Sequence, residues 1–147
     1  MKINPTNILL VEDNPDHAEL TVKALQEEGD MINKIEVVGD GEEALEYLYH
    51  RGRYADSRRY PRPGLILLDI KLPKIDGIEV LQIIKKDENL RNIPVIVLTT
   101  SESDKDMLAS YQYGVNSYIT KPVGFREFSK RIKEMRYYWL LVNSLPE

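Results

Sequence analysis

Three stretches of this chain run for four residues on isoleucine, leucine and valine alone: Ile8-Leu9-Leu10-Val11, Leu65-Ile66-Leu67-Leu68 and Val95-Ile96-Val97-Leu98. A strand with one face in water alternates apolar and polar residues, whereas a strand buried on both faces is apolar throughout. Runs of this kind belong to parallel sheets covered by helices on both sides. Helical patterns fill the gaps between them. Ala18, Val22 and Leu25 follow helical spacing after Asn14-Pro15, with Gly29 as the stop. Residues 35–38 read as a further strand, Gly39-Asp40-Gly41 as a turn, and Ala44, Leu45 and Leu48 as a second helical face. Val80, Leu81 and Ile84 mark a third helix after Gly77, and Met107, Leu108 and Tyr111 a fourth that stops at Gly114. Ser117-Tyr118-Ile119-Thr120 is the last strand, and Phe125, Phe128, Ile132, Met135, Trp139 and Val142 form the most regular stripe of all.

Strand and helix thus alternate five times. The expected fold is α/β: a flavodoxin-like (βα)5 doubly wound parallel sheet of strand order 2-1-3-4-5, with a site at the switch point between the first and third strands. The 147 residues suit one domain, 1–147, with no internal repeat. A net charge of −4 argues against nucleic acid as the main partner. The absence of cysteine excludes disulfides and thiolate metal sites. No apolar run has the length of a membrane span, and the first residues lack a signal-peptide core, so a cytoplasmic protein is expected.

Chemistry gathers where the strands end. The first run leads into Glu12-Asp13, the second into Asp69, the third into Thr99-Thr100, and the last strand into Lys121-Pro122. In a parallel sheet these ends share one edge. Two carboxylates about 4 Å apart repel by ~4 kcal/mol at an effective dielectric near 20, so three of them require a cation. Hard oxygen ligands select Mg2+ or a similar ion, held by Asp13, Asp69 and a backbone carbonyl at Lys71, with Glu12 acting through water. Asp69 is then a nucleophile for phosphorus. The Lys121 ammonium neutralises the far side of the phosphoryl group, and the Thr99 hydroxyl donates to one of its oxygens. Lys121-Pro122 is a candidate cis peptide that would aim the lysine inward. Taken one at a time, these residues have plainer readings: a helix cap at Asp13-Asn14, a strand terminus at Asp69, a capping threonine and a solvated lysine. It is their combination on four strand ends that points to chemistry.

The same residues are similar to those of the response-regulator receiver family. Glu12-Asp13 resembles its acidic pair, Asp69 its phosphoacceptor, Thr99 its switch hydroxyl, Tyr118 its switch aromatic and Lys121-Pro122 its lysine with cis-proline. Leu72-Pro73 and Asp76-Gly77 resemble the loop after the phosphoacceptor. The match spans about residues 6–136, leaving residues 137–147 as a helical extension. It implies a stand-alone regulator that accepts a phosphoryl group from a sensor histidine kinase with Mg2+. Switching would then act on the face of the fourth helix, fifth strand and fifth helix. Such a domain catalyses its own phosphorylation and dephosphorylation and turns over no external substrate. The long connection at residues 51–64 and the tail Tyr137-Tyr138-Trp139 further resemble the small regulators paired with bacterial phytochrome kinases.

Several features invite further expectations. Residues 51–64 hold five arginines, two tyrosines and two prolines, which read either as a solvated loop or as a contact surface for an acidic partner. Lys71 lies two residues after Asp69, where its side chain could slow loss of the phosphoryl group. The apolar continuation Trp139-Leu140-Leu141-Val142 predicts a homodimer through the fifth helix and tail. His17 and His50 are expected at the surface.

Three other functions compete. A haloacid-dehalogenase-like phosphohydrolase also uses an aspartate nucleophile, but Asp69-Ile70-Lys71 puts a lysine where its acid–base carboxylate belongs. A flavin or nucleotide module would need glycines and backbone amides after the first strand, where Glu12-Asp13-Asn14-Pro15 stands instead. A degenerate receiver would bind partners without phosphorylation.

Overall fold

The computed structural model describes residues 4–26, 34–99, 117–120 and 126–135, residue 128 apart. In chain order it contains β1 (Asn4–Val11), α1 (Pro15–Gln26), β2 (Lys34–Val38), α2 (Gly41–Leu48), a 3-10 turn (Gly52–Tyr54), β3 (Pro63–Asp69), α3 (Gly77–Lys86), β4 (Val95–Thr99) and β5 (Ser117–Thr120). Residues 126–135 are helical around the undescribed position. All strand pairings are parallel, and the sheet order is β2-β1-β3-β4-β5, as the alternating pattern predicts. The fourth helix expected around Met107, the Gly29 stop, the Lys121-Pro122 bond and the Trp139 tail lie outside the described residues.

The uninterrupted strands serve two cores at once. Because side chains alternate across a strand, Leu9, Val11, Ile66 and Leu68 face one layer with Ala44, Leu48, Val80, Leu81 and Ile84 of α2 and α3. Ile8, Leu10, Leu65 and Leu67 face the other, with Ala18, Ala24 and Leu25 of α1 and Ile132 of the last helix. Burying such a side chain is worth about 1.5–3 kcal/mol, so a polar residue within β1 or β3 would cost one layer or the other. Both surface helices of the first layer begin at an aspartate. The Asp40 side chain accepts from the Glu43 N–H at 2.7 Å, and that of Asp76 from the Gly77 N–H at 2.8 Å. At its far end α2 stops at Leu48 with Tyr49 as cap, and the φ of 55° at His50 turns the chain away from the helix.

The connection from α2 to β3 is solvent-exposed over residues 51–53 and 55–59 but is anchored by a buried tyrosine. Tyr54 is 0% exposed, and its ring meets those of Tyr47 and Tyr60 edge-on, with centroids 5.1 and 4.9 Å away. Its hydroxyl donates to Glu43 Oε2 at 2.6 Å, the Tyr47 hydroxyl donates to the Pro61 carbonyl at 3.1 Å, and Tyr60 stands 6.0 Å from Tyr47. Stacked edges of this kind add about 0.5–1.5 kcal/mol each beyond the area they bury. The two histidines are half-buried: His50 Nε2 lies 2.8 Å from the Tyr60 carbonyl, and the His17 N–H donates to Asn14 Oδ1 at 3.2 Å.

Candidate functional site

β1 and β3 are neighbours and end side by side, Val11 opposite Leu68. The next residues along each chain are therefore delivered to the same place. Glu12 follows β1 and is locked by its own N–H, which donates to the Val38 carbonyl at 3.0 Å. Asp69 closes β3, with the Ile70 N–H donating to the Leu98 carbonyl at 3.2 Å. Ligand oxygens of Glu12, Asp13 and Asp69 all lie within 4.8 Å of one another. Glu12 is 3% exposed and Asp69 5% exposed, while Asp13 faces solvent.

Two buried acids beside a third repel strongly, and part of that repulsion is relieved by local amides. The Asn14 N–H donates to Glu12 Oε2 at 3.2 Å, and the Lys71 N–H donates to Asp69 Oδ1 at 3.1 Å. Neutral donors soften the charge without cancelling it. The donor set is all oxygen, compact and partly open through Asp13, which fits a small hard divalent cation. Asn14 also holds the acidic turn in shape: its Oδ1 accepts from the Asp16 N–H at 2.9 Å and its carbonyl accepts from Ala18 at 2.9 Å, so α1 begins directly beneath the acids.

The loop after Asp69 is clamped from both ends. The Gly77 N–H donates to the Ile70 carbonyl at 3.1 Å, and a Cβ at Gly77 would overlap the carbonyl oxygen of Asp69. On the outer side Lys74, held at φ 68°, pairs with Asp40 Oδ2 and Glu42 Oε2, each at 3.6 Å. The nearby Asp40 carboxylate, and then Glu42, raise the Lys74 pKa above the ordinary lysine value. A Cβ at Gly41 would overlap the Ile75 carbonyl, so this glycine lets the loop lie against the start of α2. Sequence reading saw only a turn at Gly39-Asp40-Gly41. The signal it held, a glycine directly after a capping aspartate, acquires meaning only once residue 75 is known to pass over it.

Of the residues expected at the site, Glu12, Asp13 and Asp69 are brought together. Lys71 offers its amide to Asp69, and its side chain is exposed. Thr99 ends β4 one step beyond Leu98, the register partner of Asp69, and pairs with Thr120 of β5. Tyr118 pairs with Val97 in the same sheet. Lys121 lies outside the described residues, one position after Thr120.

Known proteins share this arrangement. The response regulator receiver domain pattern matches residues 8–133. The probable methanogenesis regulatory protein FilR2 of Methanothrix harundinacea is 46% identical over 97% of this chain and 89% of its own length. Response regulator Rcp1 of Synechocystis is 40% identical over 97% of this chain and 94% of its own length, and has been solved in an Mn2+-bound form. The phosphorylated cyanobacterial phytochrome response regulator RcpA superposes with a TM-score of 0.84 at 42% identity, covering 96% of this chain and 98% of its own. By fold, by acidic edge and by these likenesses, the chain belongs to the response-regulator receiver family of two-component signalling.

Proposed function

We propose that this chain is a phosphoacceptor switch in which Asp69 takes a phosphoryl group from the phosphohistidine of a sensor histidine kinase, one of the phytochrome type. The observation that carries the reading is the convergence of Glu12, Asp13 and Asp69 within 4.8 Å at the shared end of β1 and β3. In the transfer an Asp69 carboxylate oxygen forms a bond to phosphorus while the phosphorus–nitrogen bond of the donor breaks. The imidazole nitrogen keeps the electron pair and takes up a proton. Little covalent chemistry is asked of the protein, so positioning and charge dominate.

Asp13, Asp69 and the Lys71 carbonyl would hold Mg2+, with Glu12 acting through water. When bound, the ion neutralises the phosphoryl oxygens and the acids around them. The chain's own residues do the remainder. The Lys71 amide fixes the Asp69 carboxylate, β4 and β5 end together at Thr99 and Thr120, and Lys121 is the next residue in the sequence. In this reading Lys121 balances the phosphoryl charge, and Thr99 and Tyr118 carry the change to the surface of the fourth helix, β5 and the last helix. A homodimer through the last helix and the tail, and a cytoplasmic location, complete the proposal. Their support is the apolar tail in the sequence and the finding that, among the described residues, no helix is long and apolar enough to cross a membrane.

The test is intact mass after incubation with Mg2+ and acetyl phosphate. Wild type gains one phosphoryl group and Asp69→Asn gains none. Absence of gain in wild type, with Mg2+ binding confirmed, would reject phosphotransfer and leave a phosphorylation-independent interaction module.

A further inference from the structure

A second charged feature lies away from the acidic edge. Residues 51–62 hold five of the chain's 20 basic residues and one of its 24 acidic ones, and all five are arginine. The single acid, Asp56, is used internally: its Oδ1 accepts from the Arg58 N–H at 3.0 Å and the Arg59 N–H at 3.4 Å. Arg62 turns inward, its Nε–H donating to the Leu48 carbonyl at 3.3 Å. The other four arginines are exposed.

Three of these four lie over tyrosine rings. The guanidinium carbon is 4.8 Å from the ring centroid for Arg51 on Tyr49, 4.8 Å for Arg53 on Tyr54 and 5.5 Å for Arg59 on Tyr60. Tyr54 and Tyr60 are themselves in edge contact, so the platform beneath Arg53 and Arg59 is continuous. Arg53 has only a loose ion pair, 3.9 Å from Glu43 Oε2, and among the described residues no carboxylate pairs with Arg51, Arg58 or Arg59. An arginine free in solution must lose rotamer freedom to bind. One already stacked on a ring has lost much of it, and its planar fork matches a carboxylate in two-point fashion.

We infer that the arginine segment is a preorganised docking surface for an acidic, Asp/Glu-rich segment of a partner protein. Nucleic acid is the poorer occupant, because the rest of the chain is acidic enough to leave a net charge of −4. A membrane is poorer still, because the large apolar group of the segment, Tyr54, is 0% exposed and cannot insert. The inference is independent of phosphotransfer at Asp69.

The experiment is fluorescence anisotropy of a labelled Asp/Glu peptide against the full chain, with an Asn/Gln peptide of equal length, a single-stranded oligonucleotide and phosphatidylserine vesicles alongside. The acidic peptide should bind in preference to the other three and weaken with added salt. The combined change Arg51→Gln, Arg58→Gln and Arg59→Gln should weaken binding about tenfold or more while leaving the urea midpoint in place, since these side chains are exposed. Lysine at the same three positions keeps the charge but loses the fork, and affinity should again fall. Equal binding of the neutral peptide, undiminished binding by either triple variant, or tighter binding of the oligonucleotide or vesicles would each overturn the inference.

Discussion

The acidic edge and the arginine segment both crowd like charges together, and they manage the repulsion in opposite ways. At the edge, Glu12 and Asp69 are almost fully buried, so water screens them little, and backbone amides of Asn14 and Lys71 are among the groups that answer their charge. Along residues 51–62 the guanidiniums of Arg51, Arg53 and Arg59 stay in water and lie on tyrosine faces, where solvent screens them and the rings add attraction. Burial decides which cluster needs a partner to be stable and which merely offers itself to one. In the readings proposed above, the first would hold an ion and the second a reversible contact.

That contrast can be broken at its centre or sharpened at its margins. The largest expected effect is all-or-none: Asp69→Asn abolishes the mass gain from acetyl phosphate, while the Arg51, Arg58 and Arg59 triple change leaves it intact. Next is Gly77→Ala, which presses a methyl group onto the Asp69 carbonyl oxygen. Urea unfolding should show a loss of about 2–3 kcal/mol, and a change smaller than about 0.5 kcal/mol would mean that the loop gives way easily. Third, saturating Mg2+ should stabilise wild type by about 2.7 kcal/mol at a hundredfold excess over its dissociation constant. Chelation should reverse the gain and Asp13→Asn should abolish it. The same salt should leave the arginine segment unaffected beyond ordinary screening.

The smallest effect lies in the tyrosine platform. Tyr54→Phe removes the hydroxyl that donates to Glu43 and should cost about 1–2 kcal/mol in urea unfolding. Burial, with help from Glu36, pushes the Tyr47 phenol up to about 12, and burial with the Glu43 hydrogen bond raises Tyr54 as well. With pKa values higher in the folded state, the unfolded chain loses these protons first as pH rises. The stability they contribute is whole below pH 10.0, the ordinary phenol value, and falls from there upward. A urea midpoint that stays level through pH 11 would show that the platform is open to water.

Much of this was legible in the sequence because it depends on neighbours along the chain. Leu65 to Leu68 announce a strand buried on both faces, and Asp69 directly after them must emerge at its end. Glu12 and Asp13 follow the same logic, and the order of strands then brings the two ends together. What escaped depends on neighbours in space. Nothing in the spacing of Tyr47, Tyr54 and Tyr60 says that their rings meet, because the segment between them doubles back in an irregular path. The solvated reading of residues 51–64 holds for most of the segment but missed its tyrosine anchor for that reason, while its charge, a matter of composition, was visible at once. Gly41 was read as a turn glycine, although its main duty is to admit the Ile75 carbonyl.

The position of β2 has one more consequence. It is the outermost strand on its side, and among the described residues no strand pairs with its outer flank, which an edge strand can offer to another molecule. The protein guards that flank in two ways. Lys34 and Glu36 place opposite charges along a strand of five residues and pair with each other at 3.5 Å. The tyrosine segment then fastens itself to the strand's first residue, with Lys34 Nζ donating to the Arg59 carbonyl at 2.9 Å and lying 4.7 Å from the centre of the Tyr60 ring. The segment that displays the arginines thereby also covers one end of the β2 edge, and shortening it would leave that edge more open to edge-to-edge strand pairing.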